Sequence, residues 1–117
     1  YEMRMGTYTS TTTGVQFRYV GDNVSLSFGQ LTNELWYHLV AIGSSGSQKI
    51  YTNASLTTSS TSTSTPSSNT NSLVLGKLAY ASLYADMDLA SVRIYNRALS
   101  ASEVSQNYNA HKSRFGL

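Results

Sequence analysis

Apolar and polar positions alternate with a period of two along much of the chain. In residues 14–20, Val15 and Phe17 are separated by Gln16 and followed by Arg18, Tyr19 and Val20. Gly21, Asp22 and Asn23 then supply a turn, after which Val24, Leu26 and Phe28 alternate with Ser25 and Ser27. Two such runs joined by residues that tolerate positive φ predict a β-hairpin, with Val24, Leu26 and Phe28 facing a core and Ser25 and Ser27 facing out. The richest strand signal covers residues 36–42, from Trp36 to Ile42, and residues 43–47 turn it into a strand over residues 48–52. Further strands are predicted at residues 72–76 and 89–95. Turn signals recur about every ten residues, the spacing of an all-β antiparallel sandwich rather than of βαβ units.

One helix is predicted near the C-terminus. Ser100 followed by Glu103 has the capping-box form, in which hydroxyl and carboxylate each satisfy a free backbone N–H of the first turn. Val104 and Tyr108 follow at i, i+4, enough for an apolar stripe two or three turns long.

Composition narrows the picture. With 117 residues and 40% hydrophobic content the chain is read as a single domain over residues 1–117 with one core. Ser and Thr number 33 against 14 charged residues, so solubility rests on hydroxyls more than on charge. Eleven of the twelve residues 57–68 are Ser or Thr, the other being Pro66. That tract buries nothing apolar and is read as a surface loop or a polar edge strand. It is also a candidate O-glycosylated stretch at Thr61, Thr63 and Thr65. With no cysteine, disulfide frameworks, thiolate catalysis and Cys-based zinc sites are excluded. A net charge of +2 is too sparse for a nucleic-acid footprint. The longest apolar run, residues 35–42, falls short of the roughly 18 residues of a membrane-spanning helix, so no membrane insertion is expected.

Three segments together resemble the laminin-G-like branch of the concanavalin A-like lectin/glucanase superfamily. Trp36-Tyr37-His38-Leu39-Val40 is similar to one of its strands, and Ile50-Tyr51-Thr52-Asn53-Ala54 to a strand and turn that follow. The third, Ala90 to Val104, contains Val92-Arg93-Ile94-Tyr95-Asn96-Arg97-Ala98-Leu99-Ser100 and closely matches the closing motif of the branch. In that strand Ala90, Val92 and Ile94 would face the interior, Leu99 would plug the core and Ser100 would cap the helix. Departures are Ala54 in place of a turn glycine, Met87 in place of a glycine, and Ala90 where an acid is frequent; the last weakens any carried-over calcium site. The resemblance covers residues 14–108, and complete members carry extra strands before the hairpin. It therefore implies a jelly roll with one short C-terminal helix, forming the C-terminal part of a longer chain.

The ending, residues 106–117, resembles the ends of laminin-G-like domains in structural proteins of tailed phages. This implies a virion component; the plainer reading of the same residues is a helix followed by a basic tail at residues 109–117, with Phe115 tucked onto the sandwich.

Chemistry is sparsely signposted. The superfamily includes glycoside hydrolases, whose retaining members need two carboxylates about 5 Å apart. Only six acids are present, and Asp86 and Asp88 form the sole close pair with no glutamate beside them; hydrolysis is the remote alternative. The same pair with Asp22 and Asn23 makes a candidate calcium site if the hairpin turn and residues 86–88 share one end of the sandwich; otherwise these are separate solvated turn acids. Tyr80 and Tyr84, beside Asp86 and Asp88, are candidate sugar-stacking residues, with core packing as the other reading of the two rings. Asn23 and Asn53 begin Asn-x-Ser sequons and are candidate glycosylation sites. The combined expectation is a non-enzymatic binding or structural module. Its setting is the virion surface or another extracellular site, as a decoration, fibre or appendage domain, with glycans or neighbouring subunits, including copies of itself, as partners. A secreted or cell-surface bacterial lectin-like adhesion domain is the alternative.

Overall fold

The computed structural model describes residues 2–9, 12–18, 25–44, 46–61, 75–76, 84 and 86–117. Among the described residues, six strands form two antiparallel three-stranded sheets, ordered β1-β2-β3 and β4-β5-β6. The first contains β1 (Glu2–Thr9), β2 (Thr12–Arg18) and β3 (Ser25–Thr32), and the second β4 (Leu39–Ser44), β5 (Ser47–Thr52) and β6 (Ser55–Ser60). An α-helix, α1 (Ala101–Asn109), and a 3-10 turn at Lys112–Arg114 follow. The all-β antiparallel sandwich with one short C-terminal helix is therefore the architecture that forms.

The expected hairpin is present, with Phe17 opposite Leu26 and Gln16 opposite Ser27. Its alternation is reset once. Gly14 pairs with Gln30 but Gln16 with Ser27, so β3 carries one extra residue opposite Val15. Gly29, at φ +82°, takes up that bulge in a backbone region that glycine enters without penalty. The parity change lets Leu31 join Leu26 and Phe28 in the same buried cluster. β1 was not anticipated; it pairs with β2 through Met3 opposite Phe17 and Met5 opposite Val15.

Adjacent residues of β5 serve opposite faces, as pleating requires. Ile50, fully buried, packs with Leu26, Phe28 and Leu31 between the sheets. Tyr51 packs on the other side with Ile42 and Val104 of α1, flanked by Val40, Ala54 and Leu99. The second sheet is thus the middle of three layers, and Leu99 plugs the helix side as expected. Gln48 shares the Ile50 face and is 1% exposed, yet neither end of its amide has a hydrogen-bond partner.

β5 and β6 are joined by Asn53 and Ala54, at φ +50° and +65°. Two successive positive φ values are the signature of a type I′ hairpin turn. The Ser/Thr tract begins as the end of an edge strand, since residues 57–60 lie in β6 and Thr61 follows it exposed. Residues 62–68, with Thr63 and Thr65, lie outside the described residues.

Two expected strands need comment. Residues 89–95 form no ladder, and Val92 and Ile94, expected inside, are 45% and 73% exposed. The alternation is a true strand pattern, but a strand needs a neighbour, and among the described residues none pairs with it. Of residues 72–76, only Leu75 and Gly76 are described, and they form a bend. The strand expected at residues 36–42 begins its ladder at Leu39, leaving Trp36, Tyr37 and His38 as an approach segment.

The helix starts as the capping box dictates. Ser100 Oγ accepts from the Glu103 N–H, and the Glu103 carboxylate accepts from the Ser100 N–H at 2.8 Å. Arg97 adds a two-pronged contact, Nη1 to Oε2 at 3.0 Å and Nη2 to Oε1 at 2.6 Å.

Candidate functional site

The approach segment before β4 and the end of the chain meet at one corner of the second sheet. His38 is held there by the β5–β6 turn: its N–H donates to Asn53 Oδ1 and its carbonyl accepts from the Asn53 N–H, both at 2.9 Å. Its ring lies 5.8 Å from that of Tyr108, on α1. Two residues earlier, Trp36 stacks at a tilt on Phe115, ring centroids 5.0 Å apart. The tail therefore does lay Phe115 on the sandwich, and the ring it meets is Trp36, itself 40% exposed.

Cations surround these rings. Lys112 Nζ lies 5.7 Å from the Tyr108 ring centre, and the Arg114 guanidinium 5.5 Å from that of Phe115, both within cation–π range. Arg93 reaches the same place from the preceding segment, where Nη2 meets His111 Nε2 and Nη1 donates to Asn107 Oδ1 at 3.4 Å. Because a guanidinium only donates, His111 Nε2 is the acceptor and Nδ1 carries the ring proton. Asn107 Nδ2 in turn donates to the Tyr95 hydroxyl at 3.2 Å.

The electrostatics are one-sided. Among the described residues, only Arg97 forms an ion pair, with Glu103, and that lies at the helix N-terminus. Glu103 is held down to about 2, first by the Arg97 hydrogen bond and then by the Ser100 N–H and hydroxyl. His38 is pushed below the usual imidazole value of 6.5, first by burial and then by the nearby His111 and Arg93.

The residues expected to carry function are placed differently. Tyr84, at a single β-bridge, is 72% exposed, and Asp86 and Asp88 are both exposed in the stretch without ladder bonds that follows. Asn53 sits half-buried in its turn with Oδ1 engaged by His38. Tyr80, Asp22 and Asn23 lie outside the described residues, as does any junction of Asp22 and Asn23 with Asp86 and Asp88. Among the described residues no three His, Cys, Asp or Glu side chains gather as a metal would require. No described helix is long and apolar enough to cross a membrane.

A second surface stands out. Leu89, Val92 and Ile94, from the stretch that forms no ladder, are 52%, 45% and 73% exposed. Sequence reading assigned Val92 and Ile94 to the interior, and it missed the Trp36–Phe115 corner because nothing local links two residues so far apart.

Comparison with known proteins agrees with this architecture. Residues 2–105 match the family described as the concanavalin A-like lectin/glucanases superfamily. The fold is similar to that of an S-layer domain-containing protein from Clostridium thermocellum, residues 221–444. The TM-score is 0.61 at 22% identity, over 91% of this chain and 55% of that one. The chain thus spans about half the length of that structure. No curated protein sequence matches it.

Proposed function

Because the chain belongs to the concanavalin A-like lectin/glucanases superfamily, we propose that it is a non-enzymatic binding and structural module of an extracellular assembly. In this reading it is a surface domain of a phage particle, a decoration, fibre or appendage unit that contacts neighbouring subunits and glycans.

The observation that carries the proposal is the exposure of Leu89, Val92 and Ile94 within the one stretch of residues 89–95. Large apolar side chains left exposed in this way are what protein–protein contacts cover. A strand-patterned segment outside both sheets suits a neighbouring subunit that buries Val92 and Ile94. The acids favour the same reading over hydrolysis. Asp86 and Asp88 are exposed on a stretch that no sheet holds, unlike the fixed pair about 5 Å apart of a retaining glycosidase. Residues 106–117 support the phage setting through their likeness to the ends of virion proteins. The S-layer domain-containing neighbour favours the second reading, a bacterial cell-surface domain.

Two measurements test the proposal. Mass spectrometry of purified particles is expected to detect this chain. Ile94→Glu, at a position already 73% exposed, is expected to leave the circular dichroism spectrum intact while abolishing incorporation. Incorporation unchanged by Ile94→Glu would remove this stretch from the proposal, and absence from particles would remove the phage setting in favour of the cell-surface one.

A further inference from the structure

Resting on the reading of the chain as a binding module, we propose that the corner formed by Trp36, Arg93 and the C-terminal turn is a binding site for an acidic saccharide, carboxylated or sulfated. The glycan expectation placed ligand contacts at Tyr80 and Tyr84, but the described groups with matching chemistry converge elsewhere.

Three kinds of group meet there. The first is charge. Arg93 touches His111, which Lys112 follows in sequence, while Lys112 lies over Tyr108 and Arg114 over Phe115. None of the three has a carboxylate partner among the described residues; the basic residue that has one, Arg97, pairs with Glu103. Cations held near aromatic rings and left without counter-charges are poised for an external anion. The second is an apolar face. Trp36 is fixed on one side by Phe115 and remains 40% exposed, and an indole held in this way suits the C–H face of a pyranose. The third is hydrogen bonding. The Tyr95 hydroxyl accepts from Asn107, so its own proton is available to donate outward, and Tyr95 is 43% exposed. His111, accepting at Nε2, offers Nδ1–H.

The arrangement favours a saccharide over a nucleic acid. Three cations neutralise few phosphates, and the Trp36 ring is backed by Phe115 where a base-stacking platform needs successive open rings. It also favours an acidic sugar over a neutral one, because a neutral sugar would leave all three cations uncompensated.

The test is calorimetric titration of the full chain with oligogalacturonate and with dextran sulfate, using neutral dextran and a DNA duplex as comparisons. At least one acidic probe is expected to bind, more weakly as salt is raised, with neutral dextran at least tenfold weaker. The double variant Lys112→Gln, Arg114→Gln, at exposed positions, is expected to lower affinity at least tenfold with an unchanged circular dichroism spectrum. Tyr84→Ala is expected to leave it unchanged. Binding of DNA as tight as of either acidic probe would overturn the proposal, since charge alone would then be recognised. Failure of both acidic probes while particle incorporation persists would overturn this site and leave the module reading standing; failure of both probes together with absence from particles would overturn this site and the phage setting.

Discussion

Asn53 holds His38 at both of its backbone groups, donating its own N–H to the His38 carbonyl and accepting the His38 N–H on Oδ1, each at 2.9 Å. The second contact does with a side chain what the next rung of the β4–β5 ladder would do with a carbonyl. It fixes the approach segment and so aims Trp36 and the His38 ring at the C-terminal turn. Asn is also among the few residues that accept φ +50° readily.

Removing that side chain separates the two roles. Asn53→Gly keeps the turn conformation and loses only the Oδ1 contact, which leaves a part-buried N–H unpaired at a cost of about 1–2 kcal/mol. Asn53→Ala adds backbone strain and is expected to be less stable than the glycine variant. Urea denaturation checks both, and an Asn53→Gly as stable as the native chain would mean that the contact contributes nothing.

The neighbouring residue gives the opposite expectation. Ala54 stands at φ +65°, where an L-residue with a Cβ is disfavoured by about 1–2 kcal/mol. Its methyl group packs against the Ile42, Tyr51 and Val104 cluster but is only half-buried, a contribution below the roughly 0.8 kcal/mol of a fully buried CH₂. Strain outweighs packing, so Ala54→Gly is expected to raise stability by roughly 0.5–1 kcal/mol. A fall in the urea midpoint would show that the methyl contact dominates.

These two residues also mark how far local pattern reaches. Ala54 is conspicuous in sequence because a turn glycine is expected there, and the structure shows the conformation that a glycine would ease. The β2–β3 hairpin and the start of α1 are equally legible, since alternation and a capping box are local signals. β1 is harder to read, because Met3 and Met5 alternate with Glu2 and Arg4 but Gly6 and Thr7 continue the strand without apolar side chains. The bulge at Gly29 breaks the alternation that would have carried the inward face through to Leu31. Residues 89–95 show the converse, a valid strand pattern that specifies a pairing partner without supplying one. The corner of Trp36, Arg93 and Phe115 is a tertiary coincidence of separated segments, so no window of the sequence contains it.

Gln48 presents a different imbalance. Its amide is buried between the sheets with neither Oε1 nor Nε2 hydrogen-bonded, and an unsatisfied buried group costs about 1–3 kcal/mol. Methionine has similar length and no such debt. Gln48→Met is expected to raise stability by about 1–2 kcal/mol in urea denaturation. A less stable variant would show that the amide has a partner in solution, an internal water being the simplest.

His38 makes stability depend on pH near neutrality. Its folded pKa lies below 6.5, chiefly through burial, so on acidification the unfolded chain takes up the proton first. The unfolded state then binds more protons, and stability falls as pH drops below 6.5 until the folded pKa is passed; above 6.5 the contribution is fully present. His38→Phe keeps a ring facing Tyr108 and leaves the backbone contacts to Asn53 available. It is expected to flatten this limb between pH 8 and pH 5. An unchanged slope in His38→Phe would assign the acid sensitivity to another group.

A second limb lies at lower pH, at the other end of the helix. Glu103 accepts from Arg97, from the Ser100 N–H and from the Ser100 hydroxyl, and these hold its pKa near 2 against an ordinary 4.5. The folded state resists protonation that the unfolded chain accepts, so the stabilisation is complete above 4.5 and is lost as pH falls toward 2. Glu103→Gln preserves the shape of the capping box while removing the charge, and it is expected to abolish this limb without touching the one near 6.5. Ser100→Ala, which removes the cap itself, is expected to cost about 1 kcal/mol at neutral pH. Because α1 covers the Tyr51 side of the second sheet through Val104, fraying at its N-terminus loosens the outer layer of the core as well as the helix. Both variants should therefore increase amide exchange in β4 and β5 as well as in α1; a change confined to residues 100–104 would show that the cap acts only on its own turn.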